Sequence, residues 1–177
     1  MWQLRRIRSI RKMLTTEACQ TLVLGLVISH LDFANALYID LPKCDLQRLQ
    51  RVQNIASKLV LLGEGDFLQR LKTLHWLPIH LRVQHKVLTI VYKCLNDQGP
   101  AYLRELLHLH PNTRRGLRSE KIYKRLKVPF TASVQFAGRS FSAVAPKWWN
   151  DLPNYIKESK TVDIFKKKLK TFLFDKF

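Results

Sequence analysis

Acidic residues are scarce in this sequence: 13 Asp and Glu stand against 31 Lys and Arg in 177 residues, a formal net charge of +18. Such an excess does not help a small domain fold. It asks for a polyanionic partner, and nucleic acid is the leading class. Long apolar runs are missing too. The best candidate, Thr21 to Ile28, is far shorter than the roughly 18 residues that a spanning helix needs, so no membrane partner is expected. Cysteine is limited to Cys19, Cys44 and Cys94, odd in number and without a CxxC pair. That fits buried free thiols in a reducing compartment rather than a disulfide framework or a zinc knuckle.

The groups that would make an active site are missing as well. No GxxxxGK[ST] phosphate loop occurs, and Gly63 and Gly65 alternate with Glu64 and Asp66 instead of forming an anion cradle. The acids Asp32, Asp40, Asp45, Glu64, Asp66 and Asp97 form no close pair able to hold two metal ions. His75, His80 and His85 recur every five residues; on a helix that spacing turns His85 about 140° away from His80, so the two share no ligand face. His108 and His110 have no Cys or acid spaced to join them. No catalytic residue, metal or cofactor is expected.

What is present is helical. With 46% apolar residues the chain can bury one or two cores. From Trp2 to Leu14, Leu4, Ile7, Ile10 and Leu14 recur at spacings of three and four among Arg5, Arg6, Arg8, Arg11 and Lys12, which predicts an amphipathic helix with a cationic back. Thr15 or Thr16 is a candidate N-cap for a helix over 17–29, with Glu17 in its first turn. A shorter segment follows over 31–39. Pro42 opens a helix with Leu46, Leu49, Val52, Ala56 and Leu59 inward and Arg48, Arg51 and Lys58 outward. The glycines of LLGEGDF interrupt the pattern. Pro78 then starts the longest clean helix, with Ile79, Val83, Val87, Ile90, Val91 and Cys94 on one side and Arg82, Lys86 and Lys93 on the other.

The character changes after Pro111. Asn112 to Lys127 holds seven basic residues against the single acid Glu120 and has no helical stripe. Ile122–Val128 and Ser133–Arg139 alternate around Pro129, predicting a small antiparallel hairpin, and helices return over 141–150 and 162–174. The fold class expected is mainly α: a basic helical bundle over 1–110, a basic linker over 111–127, and a small α+β tail over 128–177 carrying a candidate β-hairpin.

The basic residues repeat in register. Arg5, Arg8, Arg11 and Lys12 lie on turns of one helix, Arg48 and Arg51 on another, Arg82 and Lys86 on a third, and Arg114, Arg115, Arg118, Lys121, Lys124 and Arg125 fill the linker. Singly, each row is most simply a solvated face. Together, with so few balancing acids, they are candidate phosphate contacts. Of the adjacent tryptophans, Trp149 with Phe141 and Leu152 is expected to anchor packing, and Trp148 is either an exposed ring for base stacking or a partly buried one.

The blocks QLRRIRSIRKMLTTEACQTLV, SHLDFANALY, LPKCDLQRLQRVQNIASKLV, LHWLPIHLRVQHKVL, GPAYLREL, LRS, VP, GRSFSAVAPKWWNDLP and FKKKLKTFLF run in order along almost the whole chain. In that order they resemble the C-terminal region of the polyproteins of LINE-type non-LTR retrotransposons, in the jockey and chicken-repeat branch, just after the reverse transcriptase palm. LHWLP or WNDLP alone would carry little; the ordered set is specific. The resemblance implies a thumb-like bundle that grips RNA or an RNA/DNA hybrid by its backbone and packs against the palm in a parent RNA-directed DNA polymerase. It also implies that Met1 stands in place of upstream family sequence, because no YADD-like motif, fingers or endonuclease is present. LLGEGDFLQRLKT is shorter than the corresponding family segment, as in a decayed genomic copy.

The expected function is therefore non-catalytic nucleic-acid binding. The alternatives are a domesticated protein-interaction module and a non-functional translated remnant. Nuclear or cytoplasmic location is expected. The Arg-rich, acid-free start also has the composition of a mitochondrial transit peptide, but no cleavage site follows it.

Overall fold

The structure is a computed structural model that describes residues 2–109, 125–130 and 140–177. Among these residues the chain is mainly α and holds no strand, only one antiparallel bridge between Leu109 and Leu126. Of the expected hairpin, Ser133–Arg139 and the start of Ile122–Val128 (residues 122–124) lie outside the described residues.

The chain divides into two compact units, Met1–Val83 and Gln84–Phe177. In the first, α1 (Trp2–Ile10) buries Leu4 and Ile7 and passes into a 3₁₀ turn at Arg11–Met13. The cap expected at Thr15 forms: its hydroxyl accepts from the Ala18 N–H at 3.2 Å and opens α2 (Thr16–Val23). A π-helical stretch, Leu24–Ile28, joins α2 without a break to α3 (Ser29–Asp32). Where a short helix was expected over 31–39, a 3₁₀ segment forms at Asn35–Asp40. The helix after Pro42 is α4 (Lys43–Val60, 18 residues), and α5 (Phe67–Thr73) follows the glycine loop, capped by Asp66 accepting from the Gln69 N–H. α6 (Ile79–Leu95) has 17 residues, so α4 is marginally the longer of the two.

The buried face of α4 is rotated from the one that apolar spacing predicts. Gln53, Ala56, Ser57 and Val60 are buried, whereas Leu46, Leu49, Val52 and Leu59 are only half-buried. The polar members are satisfied inside: Gln53 Nε2 donates to the Leu77 carbonyl at 2.9 Å, and the neighbouring Gln50 Oε1 accepts from the Ile79 N–H at 2.9 Å. These two glutamines tie the start of α6 to the middle of α4. No apolar residue could occupy those positions without leaving the backbone groups unpaired.

Three helices end in the same way. After α4, α5 and α6 a non-glycine residue takes the left-handed conformation, namely Leu62 (φ +53°), His75 (φ +52°) and Asp97 (φ +57°). The next N–H then reaches back across the last turn, Gly63 to Lys58, Trp76 to Leu71 and Gln98 to Lys93, at 2.8–2.9 Å.

The second unit contains the rest of α6, α7 (Ala101–Arg104), α8 (Phe141–Asn150), α9 (Asn154–Lys157) and α10 (Val162–Asp175). The composition break at 111–127 is thus not where the chain divides. Residues on both sides of it share one core: Tyr92 stacks on Phe165 with centroids 4.3 Å apart, and its hydroxyl donates to the Ser159 carbonyl. Burial outweighs the local run of charge, because packing of large rings contributes more than the composition of a connecting segment.

Gly99 marks a close approach of the chain to the end of α6. A Cβ there would lie 2.5 Å from Cys94 Sγ and 2.8 Å from the Cys94 backbone nitrogen. Gly99→Ala is expected to cost about 1 to 3 kcal/mol through this overpacking, read as a lower denaturation midpoint; an unchanged midpoint would contradict the close approach.

Candidate nucleic-acid interface

The WWNDLP block holds the second unit together. Trp149 is 1% exposed and lies 6.0 Å from Phe165, as expected of a packing anchor. Asn150 is fixed by the same helix turn and makes a pair of bonds to one residue: its Oδ1 accepts from the Leu126 N–H at 3.0 Å and its Nδ2 donates to the Leu126 carbonyl at 2.8 Å. Leu152 is buried, and Pro153 precedes α9. Trp148, weighed between an exposed stacking ring and partial burial, is half-buried. One step along the helix turns it about 100° from Trp149.

The cations expected to touch phosphate divide into two groups. Arg11 is buried: its guanidinium donates to the carbonyls of Leu59 (2.9 Å), Val60 (2.8 Å) and Leu14 (2.8 Å). Leu59 and Val60 end α4, so Arg11 satisfies carbonyls that the helix cannot pair, at the end where the dipole favours a cation. This corrects the reading of Arg11 as a phosphate contact. Arg82 is corrected for a similar reason, because it grips both carboxylate oxygens of Asp32, which also accepts from Asn35 Nδ2 at 3.2 Å. With its side chain 17% exposed, Arg82 is committed to that pair.

Arg5, Arg8, Lys12, Arg48 and Arg51 are exposed. Arg48 pairs with Asp45 at 3.1 Å, but its side chain is 77% exposed, and an exposed pair of this kind exchanges readily for another anion. Helical spacing places Arg48, Arg51, Ile55 and Lys58 along one exposed strip of α4, with exposed Leu62 just beyond the helix end, and the C-terminal part of the strip faces α1 across a groove of about 650 Å³. Arg5, Arg8, Lys12 and Lys58 rim the groove, Leu4, Ile55, Leu59 and Leu62 line it, and no acid is among its lining residues. Lys58 falls on the outward side of α4 by its sequence spacing, and only the fold joins it to α1. Its three-residue spacing from Ile55 was legible; the approach of α1 was not.

In the second unit, Lys86 and Arg125 are exposed. Arg114, Arg115, Arg118, Lys121 and Lys124 lie outside the described residues. Lys157 is drawn inward and donates to the Asn150 carbonyl at 3.1 Å; burial pushes its amine below the ordinary lysine range, with nearby Asp151 opposing and Arg125 adding to the depression. Lys168 lies over the exposed ring of Tyr155 at 5.9 Å, a cation–aromatic pair that no local pattern signals because the two sit on different helices, α10 and α9.

No family model, curated protein or solved structure matches the chain. Among the described residues no helix is long and apolar enough to cross a membrane, and no group of three or more His, Cys, Asp or Glu is placed to hold a metal ion. Burial pushes the thiols of Cys19 and Cys94 above the ordinary range, in each case against a smaller opposing influence from an arginine, Arg11 and Arg104 respectively. Cys44 is exposed, which corrects the expectation that all three thiols are buried.

Proposed function

We propose that the chain binds nucleic acid through its phosphate backbone and without catalysis, and that it derives from the region following the palm of a LINE-type reverse transcriptase. RNA or an RNA/DNA hybrid is the proposed ligand, and the palm the partner in a parent polyprotein. The observation that carries the binding reading is the cationic surface of the first unit. Arg5, Arg8, Lys12, Arg51 and Lys58 are exposed on the two helical elements flanking one groove and form no ion pair with a described residue. Cations held in rows on rigid helices fix a duplex by position and charge and carry no sequence information. The ordered sequence blocks support the origin.

Binding should weaken steeply with salt. Each phosphate contact removed lowers the slope of log K against log salt by about 0.9 on B-form DNA, so Arg48→Ala/Arg51→Ala should lose nearly twice that and weaken all duplex sequences alike. A salt series on the parent chain and the double variant, with B-form DNA, a hybrid duplex and an unstructured single strand as probes, measures this. An unchanged slope in the double variant, or salt-insensitive binding by the parent, overturns the phosphate grip. A backbone grip should bind duplexes at least as tightly as single strands, whereas a stacking platform at half-buried Trp148 would prefer single strands. Incubation with magnesium or manganese should yield neither template-dependent incorporation nor strand cleavage, and activity abolished by replacing Asp32, Asp40 or Asp45 would refute the non-catalytic assignment.

A further inference from the structure

A phosphate grip leaves one property of the groove unused, its aliphatic lining. Leu4, Ile55, Leu59 and Leu62 offer nothing to a phosphodiester, and no aromatic residue lines the groove for a base to stack on. From this geometry we infer that the groove between α1 and the C-terminal half of α4 docks an acidic amphipathic helix of a partner protein, an occupant distinct from the nucleic acid proposed above.

Three observations define the occupant. The rim is cationic with Arg5, Arg8, Lys12 and Lys58 and has no acid to balance it, so the docked surface must carry carboxylates on its flanks. On the α4 wall the lining positions 55, 58 and 59 fall within about one turn of the helix, and Leu62 lines the groove just beyond its end, so apolar side chains flank Lys58 on both sides, as a facing amphipathic helix requires. Leu62 is 69% exposed and takes the left-handed conformation (φ +53°) that ends α4. It contributes little to its own core, yet its side chain is kept at the lip of the groove. A second copy of the chain is a poor occupant, because two molecules of net charge +18 repel each other.

The test uses the full chain and fluorescence anisotropy at physiological salt. The probes are a short peptide with Leu at i, i+3 and i+7 flanked by Glu, a peptide of the same composition in scrambled order, and a B-form DNA duplex. The patterned peptide should bind about tenfold or more tighter than the scrambled one, and Ile55→Gln/Leu62→Asn should remove about tenfold of its affinity while leaving duplex DNA within about twofold. Asn tolerates the left-handed conformation, so Leu62→Asn alone keeps the test interpretable if the double variant melts early. Equal binding of the two peptides would reduce the groove to unspecific charge and overturn the inference. So would a parallel loss of duplex affinity in the double variant, which would assign the apolar lining to nucleic acid. The salt slope of the duplex reports on the phosphate grip independently, so failure of one reading is distinguishable from failure of the other.

Discussion

Trp149→Ala is expected to destabilise the second unit by about 3 to 5 kcal/mol, the usual range for emptying a buried indole site, and Trp148→Ala by much less. Trp149 is 1% exposed and lies against Phe165, itself fully buried and stacked on Tyr92. Its removal leaves a cavity bounded by rings whose backbones are fixed by α6, α8 and α10, so collapse is restricted. Trp148 is half-buried, and its loss can be filled in part by water. Denaturation of the two variants, followed by amide exchange in α8 and α10, measures the difference. Equal losses, or a larger loss in Trp148→Ala, would contradict the packing assignment.

The second large effect is expected at Arg11. Arg11→Ala removes donors from three carbonyls at once and leaves those of Leu59 and Val60 inside the protein at the end of α4. Hydrogen bonds from a charged donor contribute about 1.5 to 3 kcal/mol each, and the unpaired acceptors add their own desolvation cost. Losses within such a network are not additive, so about 2 to 4 kcal/mol is expected for the variant. Arg8→Ala, one turn earlier and exposed, should change stability by no more than about 0.5 kcal/mol while reducing the salt slope of nucleic-acid binding. Amide exchange in the last turn of α4 locates the effect: faster exchange in Arg11→Ala but not in Arg8→Ala is the expected result. The reverse pattern would return Arg11 to the phosphate surface and make Arg8 the structural residue.

The pair Arg8 and Arg11 also shows where sequence reading stops. Both are arginines in one cationic segment, three residues apart, and nothing local separates them. One becomes a surface charge and the other a helix cap, because Arg11 falls in a 3₁₀ turn beyond the end of α1, within reach of carbonyls 48 and 49 residues further on. Arg82 and Asp32, 50 residues apart, were likewise paired only by folding.

The sequence by itself determined the helical class, the Thr15 cap, the helices that begin after Pro42 and Pro78, the burial of Trp149, and a net charge of +18. Each of these depends on residues within a few turns of one another, on periodicity, or on composition, all of which are written locally. Tertiary structure alone decided that Gln53 would be buried on the Leu77 carbonyl, that Asn150 would clasp Leu126, that the chain would divide within α6, and which cations stay free beside an aliphatic groove. Those outcomes depend on which unpaired backbone groups and which apolar faces meet across long stretches of chain. A buried carbonyl takes whichever donor the fold brings to it, and that donor's identity is not encoded near the carbonyl in sequence.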